Sequence, residues 1–148
     1  MQSRLSWALR AQGEAKAALR ESRQAYEGML RVLPADDQSV LSAGDRYAAT
    51  LADGGDYDQA IALIRGLIAR RVARLGAEHP LTLSMRNSLA VYLLMKRDYP
   101  AAERELKALQ PVMIGLYGEN GADTQMIYNN LAGALRQLNT PALPVDAA

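Results

Sequence analysis

The chain has 148 residues, enough for one domain with a substantial core, and 49% of them are apolar. A net charge of +1 gives no global pull toward nucleic acid or an anionic membrane. The absence of cysteine excludes disulfides and thiolate metal sites.

Ala and Leu dominate, Phe is absent and Trp occurs once, a mixture that favours helices over strands. Apolar periodicity places helices at about 1–16, 14–32, 38–53, 57–74, 81–96, 99–115 and 122–138. The first two meet at an expected break near Gln12-Gly13. The run LAVYLLM at 89–95 is too short to span a bilayer, and MQSRLSWALRAQ has no apolar segment of signal-peptide length. A soluble, cytoplasmic protein is the expectation. Met1 sits almost directly on a helical pattern, as in a piece cut from a longer chain.

Self-similarity organises these helices. Asp98-Tyr99 with Ala102 lies 42 residues after Asp56-Tyr57 with Ala60. The same step takes Leu33 to Leu75 and Tyr117, Gly76 to Gly118, Tyr47-Ala48 to Leu89-Ala90 and Leu131-Ala132, and Leu51 to Leu93 and Leu135. Run backwards, it assigns Leu5, Leu9, Ala18 and Met29 to an earlier, degenerate copy. Each unit reads as two helices, A and B, joined by a short polar turn. That turn is Gly54-Gly55-Asp56 in one copy and Lys96-Arg97-Asp98 in the next, where the lost glycine predicts a costlier corner. Ala48, Ala90 and Ala132 on the A helices, and Ala18, Ala60 and Ala102 on the B helices, suit a close crossing. Such a pair cannot bury its apolar stripe alone, so neighbours stack to make the core.

The only histidine stands in LGAEHPLTL at 75–83. A metal site needs further N, O or S ligands; there is no second His and no Cys, and an all-carboxylate site, though possible, has no calcium-loop spacing of acids behind it. Pro80 suits a first helical turn, and Glu78, His79 and Thr82 can satisfy the exposed amides there. His79 is therefore read as a helix start. No nucleophile has a matching base, and the glycines at 115, 118 and 121 lack the Lys-Ser/Thr ending of a phosphate loop. Asp36, Asp37, Glu103 and Glu105 read as helix-start charges and a solvated face. Arg65, Arg70, Arg71 and Arg74 complement the dipole of their helix, with a patch for an acidic peptide as the alternative. No catalytic residue, metal or cofactor is assigned.

LGAEHPLTL, NSLAVYL at 87–93, RDYPAAERELKAL at 97–109, NNLAGAL at 129–135 and GDYDQAIALIRGLI at 55–68 resemble tetratricopeptide repeats. The likeness is to the 42-residue variety of kinesin light chains and bacterial multi-repeat regulators. It implies an all-α, right-handed superhelical solenoid of antiparallel helix pairs, about three and a half repeats long. The repeat domain covers 1–138, with a degenerate first unit at 1–32, units at 33–74 and 75–116, a half-unit at 117–138 and a flexible tail at 139–148. The sequence departs from the pattern at Ala15, where later copies carry Tyr57 and Tyr99, and at LPADDQSVL and YGENGADTQMI, which lack His-Pro.

In that family helix A lines the concave surface, and an Asn before the Leu-Ala pair often holds the backbone of a bound peptide. The amide offers one acceptor and two donors, enough for both C=O and N–H of an extended segment. The corresponding pairs are Ser3-Arg4, Asp45-Arg46, Asn87-Ser88 and Asn129-Asn130. Their neighbours along the face include Ser42, Ser84, Met126, Ala49, Val91, Gly133, Ala52, Leu94 and Arg136. Asn is a mediocre helix former, so two copies at equivalent mid-helix positions point to a role beyond solvation. Trp7 is read as a packing residue or a contact with a missing upstream helix rather than a ligand anchor. The resemblance implies a protein or peptide partner, with neither nucleic acid nor membrane insertion. Self-association or a linker role within a larger signalling protein, through Leu5, Trp7, Leu9 and the bare last helix, is the alternative.

Overall fold

The computed structural model describes residues 4–139, and within them every regular element is a helix. These are α1 (Arg4–Val32), α2 (Gln38–Asp53), α3 (Tyr57–Leu75), α4 (Pro80–Met95), α5 (Tyr99–Tyr117) and α6 (Ala122–Asn139). Helices α2, α4 and α6 are of type A, and α3 and α5 are of type B. The chain forms two compact units, one up to Met85 and one from Arg86, divided within α4. In the first, α1 packs on α2 and α2 on α3; in the second, α5 packs on α6. Among the described residues no helix is long and apolar enough to cross a membrane.

The B helices begin on aspartate caps. Asp56 accepts from the Gln59 N–H and Asp98 from the Ala101 N–H, satisfying amides that have no partner inside the helix. Both A–B turns close in the same way. Asp56 N–H reaches Leu51 C=O while Gly55 N–H reaches Ala52 C=O, and Asp98 and Arg97 bond Leu93 and Leu94 identically. The geometry requires a left-handed residue. Gly55 takes it at φ 86°, and Arg97 takes it at φ 68° without glycine's freedom. The costlier corner predicted for the second copy is present.

The B-helix core stripe recurs at the 42-residue step. Ala60, Ile64, Leu67 and Arg71 are buried in α3, as are Ala102, Leu106, Leu109 and Met113 in α5. On the A helices Ala48 and Ala90 are wholly buried. In the first unit α2 comes close enough that a Cβ on Gly44 would lie 2.8 Å from Leu67 Cδ2 and 3.0 Å from the Tyr26 ring. Gly44 is needed there for contact, not for its dihedral freedom.

The N-terminal region differs from expectation. Gln12-Gly13 does not break the chain: α1 runs unbroken for 29 residues. Gln12-Gly13-Glu14 matches Gly54-Gly55-Asp56 in register but lacks the capping aspartate, and a single glycine costs about 1 kcal/mol among strong helix formers. From residue 15 onward α1 is a B-type helix. Its Ala18, equivalent to buried Ala60 and Ala102, is exposed, and Leu5, Trp7 and Leu9 are more than half exposed. Trp7 is therefore not packed within the described residues, which leaves the upstream-helix contact of its expected roles. At the other end Asn139 belongs to α6 rather than to the tail, and residues 140–148 lie outside the described part.

Candidate functional site

His79 starts a helix. Its ring Nδ1 accepts from the Leu81 N–H at 3.1 Å, and its carbonyl accepts from the Leu83 N–H. Thr82 does not share the task expected of it. It is fully buried, and its Oγ1 has no partner. The equivalent Thr124, also fully buried, donates to the Met113 carbonyl at 3.2 Å.

Three of the four arginines of α3 are engaged separately. Arg70 donates to the Tyr26 hydroxyl, and Arg74 reaches the Asp36 carbonyl at 3.0 Å and its carboxylate at 3.9 Å. Arg71 is buried at the position held by Met113 in the next copy. It donates one long bond to the Leu81 carbonyl, and its Nε has no partner. Burial lowers its pKa, with Asp45 pulling the other way.

Within the first unit, Asp45, Arg46 and Ser84 lie on the A helices. Asp45 is half-buried, and desolvation pushes its carboxyl above the ordinary range against the opposing pull of Arg71. Arg46 is exposed and lines a cavity of about 300 Å³ between α1 and α2. Ser22, Ala25 and Met29 form one wall, and Gln38, Ser39, Ser42 and Ala43 complete the other. The cavity residues other than Ser42 and Arg46 escaped the sequence reading. The available signal was the small Ser22 and Ala25 where the other B helices carry Ile64 and Leu67 or Leu106 and Leu109. Ala52, expected one turn along the face, is buried.

Within the second unit, Asn87, Ser88, Val91 and Leu94 on α4 and Asn130 and Gly133 on α6 are half-buried, while Met126, Asn129 and Arg136 are exposed. Asn87 joins the two helices. Its Nδ2 donates to Met126 Sδ at 3.2 Å, and its Oδ1 accepts from Asn130 Nδ2 at 3.4 Å. The amide paired with Asn87 is thus Asn130, whereas Asn129, its repeat equivalent, points elsewhere. Asn87 keeps one N–H and one lone pair beyond these bonds, the pair an extended backbone would use.

The Tetratricopeptide repeat profile matches residues 39–113, just over half of the chain. The chain belongs to the tetratricopeptide repeat family. A crystal structure described as Podosopora anserina putative kinesin light chain nearly identical TPR-like repeats is similar at TM-score 0.78 and 18% identity, over 89% of this chain. A second crystal structure of those repeats, carrying a glutamine-to-methionine substitution, is similar at TM-score 0.77 and 18% identity, over 88%. This tetratricopeptide protein spans 63% and 61% of those two chains. At such identity the likeness is one of fold. No curated protein matches in sequence.

Proposed function

We propose that this tetratricopeptide chain is a non-catalytic, cytoplasmic adaptor that holds a peptide segment against its A-helix faces. Tetratricopeptide repeats are in general protein–protein interaction modules, and the fold allows recognition through exposed helix faces. The observation that carries the reading is the Asn87–Asn130–Met126 cluster: partly open amides beside a thioether, on two adjacent A helices. Asn87, Asn129 and Asn130 pair with the ligand backbone. Val91, Leu94 and Met126 supply apolar contact, with Ser84, Ser88 and Gly133 beside them. Arg46 and Arg136 favour acidic side chains, while Asp45 discriminates against them. A short peptide held by so few groups binds at about micromolar strength.

The test is a peptide selected on the wild-type protein, titrated by calorimetry against the Asn87→Ala, Asn129→Ala double variant. The expected result is an affinity loss of about tenfold or more, with helicity unaltered and the titration run well below the melting point, since Asn87→Ala also removes the bonds to Met126 and Asn130. Unchanged affinity would overturn the reading.

A further inference from the structure

Two unfilled faces of this molecule match each other. The stripe Ala15, Ala18, Ser22, Ala25 and Met29 on α1 stands in register with the B-helix core stripes; in α3 and α5 the last four positions are buried and the first, Tyr57 or Tyr99, is half-buried. In α1, Ala15, Ala18 and Ala25 are exposed, and the stripe opens into the α1–α2 cavity. Leu67, the α3 counterpart of Ala25, closes on Gly44 of the preceding A helix. The cavity is therefore the seat of an A helix that α1 does not have among the described residues. Conversely, Ala132 on α6 is exposed where its counterparts Ala48 and Ala90 are wholly buried. Helix α6 packs on the preceding B helix, α5, but no B helix follows it among the described residues.

We propose that α6 of a second copy seats in the α1–α2 cavity, pairing its Ala132 with Ala18. The established contact between successive A helices, α4 and α6, predicts the polar part of this interface. There Asn87 is gripped by Met126 and Asn130. Two repeats earlier in register, on α2, Met126 becomes Ser42 and Asn130 becomes Arg46, and both line the cavity. The residue presented to them, in the place of Asn87, is Asn129 of the incoming α6. The chemistry is complementary: the Arg46 guanidinium donates to the Asn129 Oδ1, and the Asn129 Nδ2 donates to the Ser42 hydroxyl. The Ala18–Ala132 crossing repeats the burial of Ala48 with Ala60 and of Ala90 with Ala102. This contact joins different surfaces on the two copies, so it is head-to-tail and not two-fold. It shares Asn129 and Arg46 with the peptide reading but not Asn87, so Asn87→Ala alone separates the two.

The natural absence of cysteine makes a clean test possible. An Ala18→Cys chain is mixed with an Ala132→Cys chain under oxidising glutathione. The expected product is the mixed disulfide dimer, well in excess of either homodimer. Statistical or homodimer-dominated products would overturn the proposal, as would their absence. In parallel, sedimentation of the wild-type full chain toward about millimolar concentration should show a rising average mass. Ala132→Trp and Arg46→Ala should each weaken that association by about tenfold with helicity unchanged, whereas Asn87→Ala should leave it intact. A strictly monomeric wild-type chain, or association unaffected by both variants, would overturn it.

Discussion

The same position on helix B is charged in one copy and apolar in the next. Arg71 and Met113 are both buried, at 4% and 6% exposure, against the following A helix. Around Met113 the polar groups are satisfied, with Thr124 donating to its carbonyl. Around Arg71 they are not: its Nε and the Thr82 hydroxyl both lack partners. Asp45 and Arg71 are each shifted by burial toward the neutral form, and their mutual attraction only partly opposes this. One fold thus tolerates two corner chemistries, and the charged one gives up stability for a polar group under the face of α2.

The comparison breaks most sharply with Met113→Arg. The new charge would meet Asn87 where the first copy has Asp45, so nothing compensates its burial. A loss of about 3 kcal/mol is expected, read as a lower urea midpoint. The converse exchange, Arg71→Met with Asp45→Asn, should raise stability by about 1–2 kcal/mol, since a buried charge pair replaced by apolar or neutral groups is often a gain. A decrease instead would mean that the pair is bonded more tightly in solution. The two A–B turns offer a smaller contrast. Gly55→Ala should cost about 1 kcal/mol at a left-handed position, and Arg97→Gly should gain about 0.5 kcal/mol.

The smallest effect is one of pH. Asp45 has a raised folded pKa, so the folded state holds its proton to higher pH than the unfolded state. Its contribution is fully present below the unfolded value of about 4 and is lost as pH rises through the folded value. Wild-type melting temperature should therefore fall across that window relative to Asp45→Asn. Parallel curves would remove the desolvated carboxyl from the account.

The 42-residue step made most of the fold legible, because turn chemistry, capping aspartates and the small crossing residues repeat with it. It misled at Gln12-Gly13, where a glycine resembles the A–B turn but the cap that would end one helix and begin another is missing. Arg71 could not be recognised as buried, since an arginine near a helix C-terminus also reads as a solvated partner of the dipole. For the candidate site, which of its residues share the A helices was legible, but not how their side chains pair. Asn87 meets Asn130 rather than Asn129 because adjacent helices mesh by the rotation of their side chains, not by repeat equivalence.

The length of α1 has a consequence in time. Its C-terminal half is fastened to α2 by buried Tyr26 and by the Ser22–Thr50 hydroxyl pair at 2.7 Å, while its N-terminal half has little packing against it. A helical segment of that size is marginal on its own propensity. Amide hydrogens before about residue 15 should therefore exchange in a fraction of the time of those after it. To a protease or to solvent deuterium, one continuous helix behaves as two.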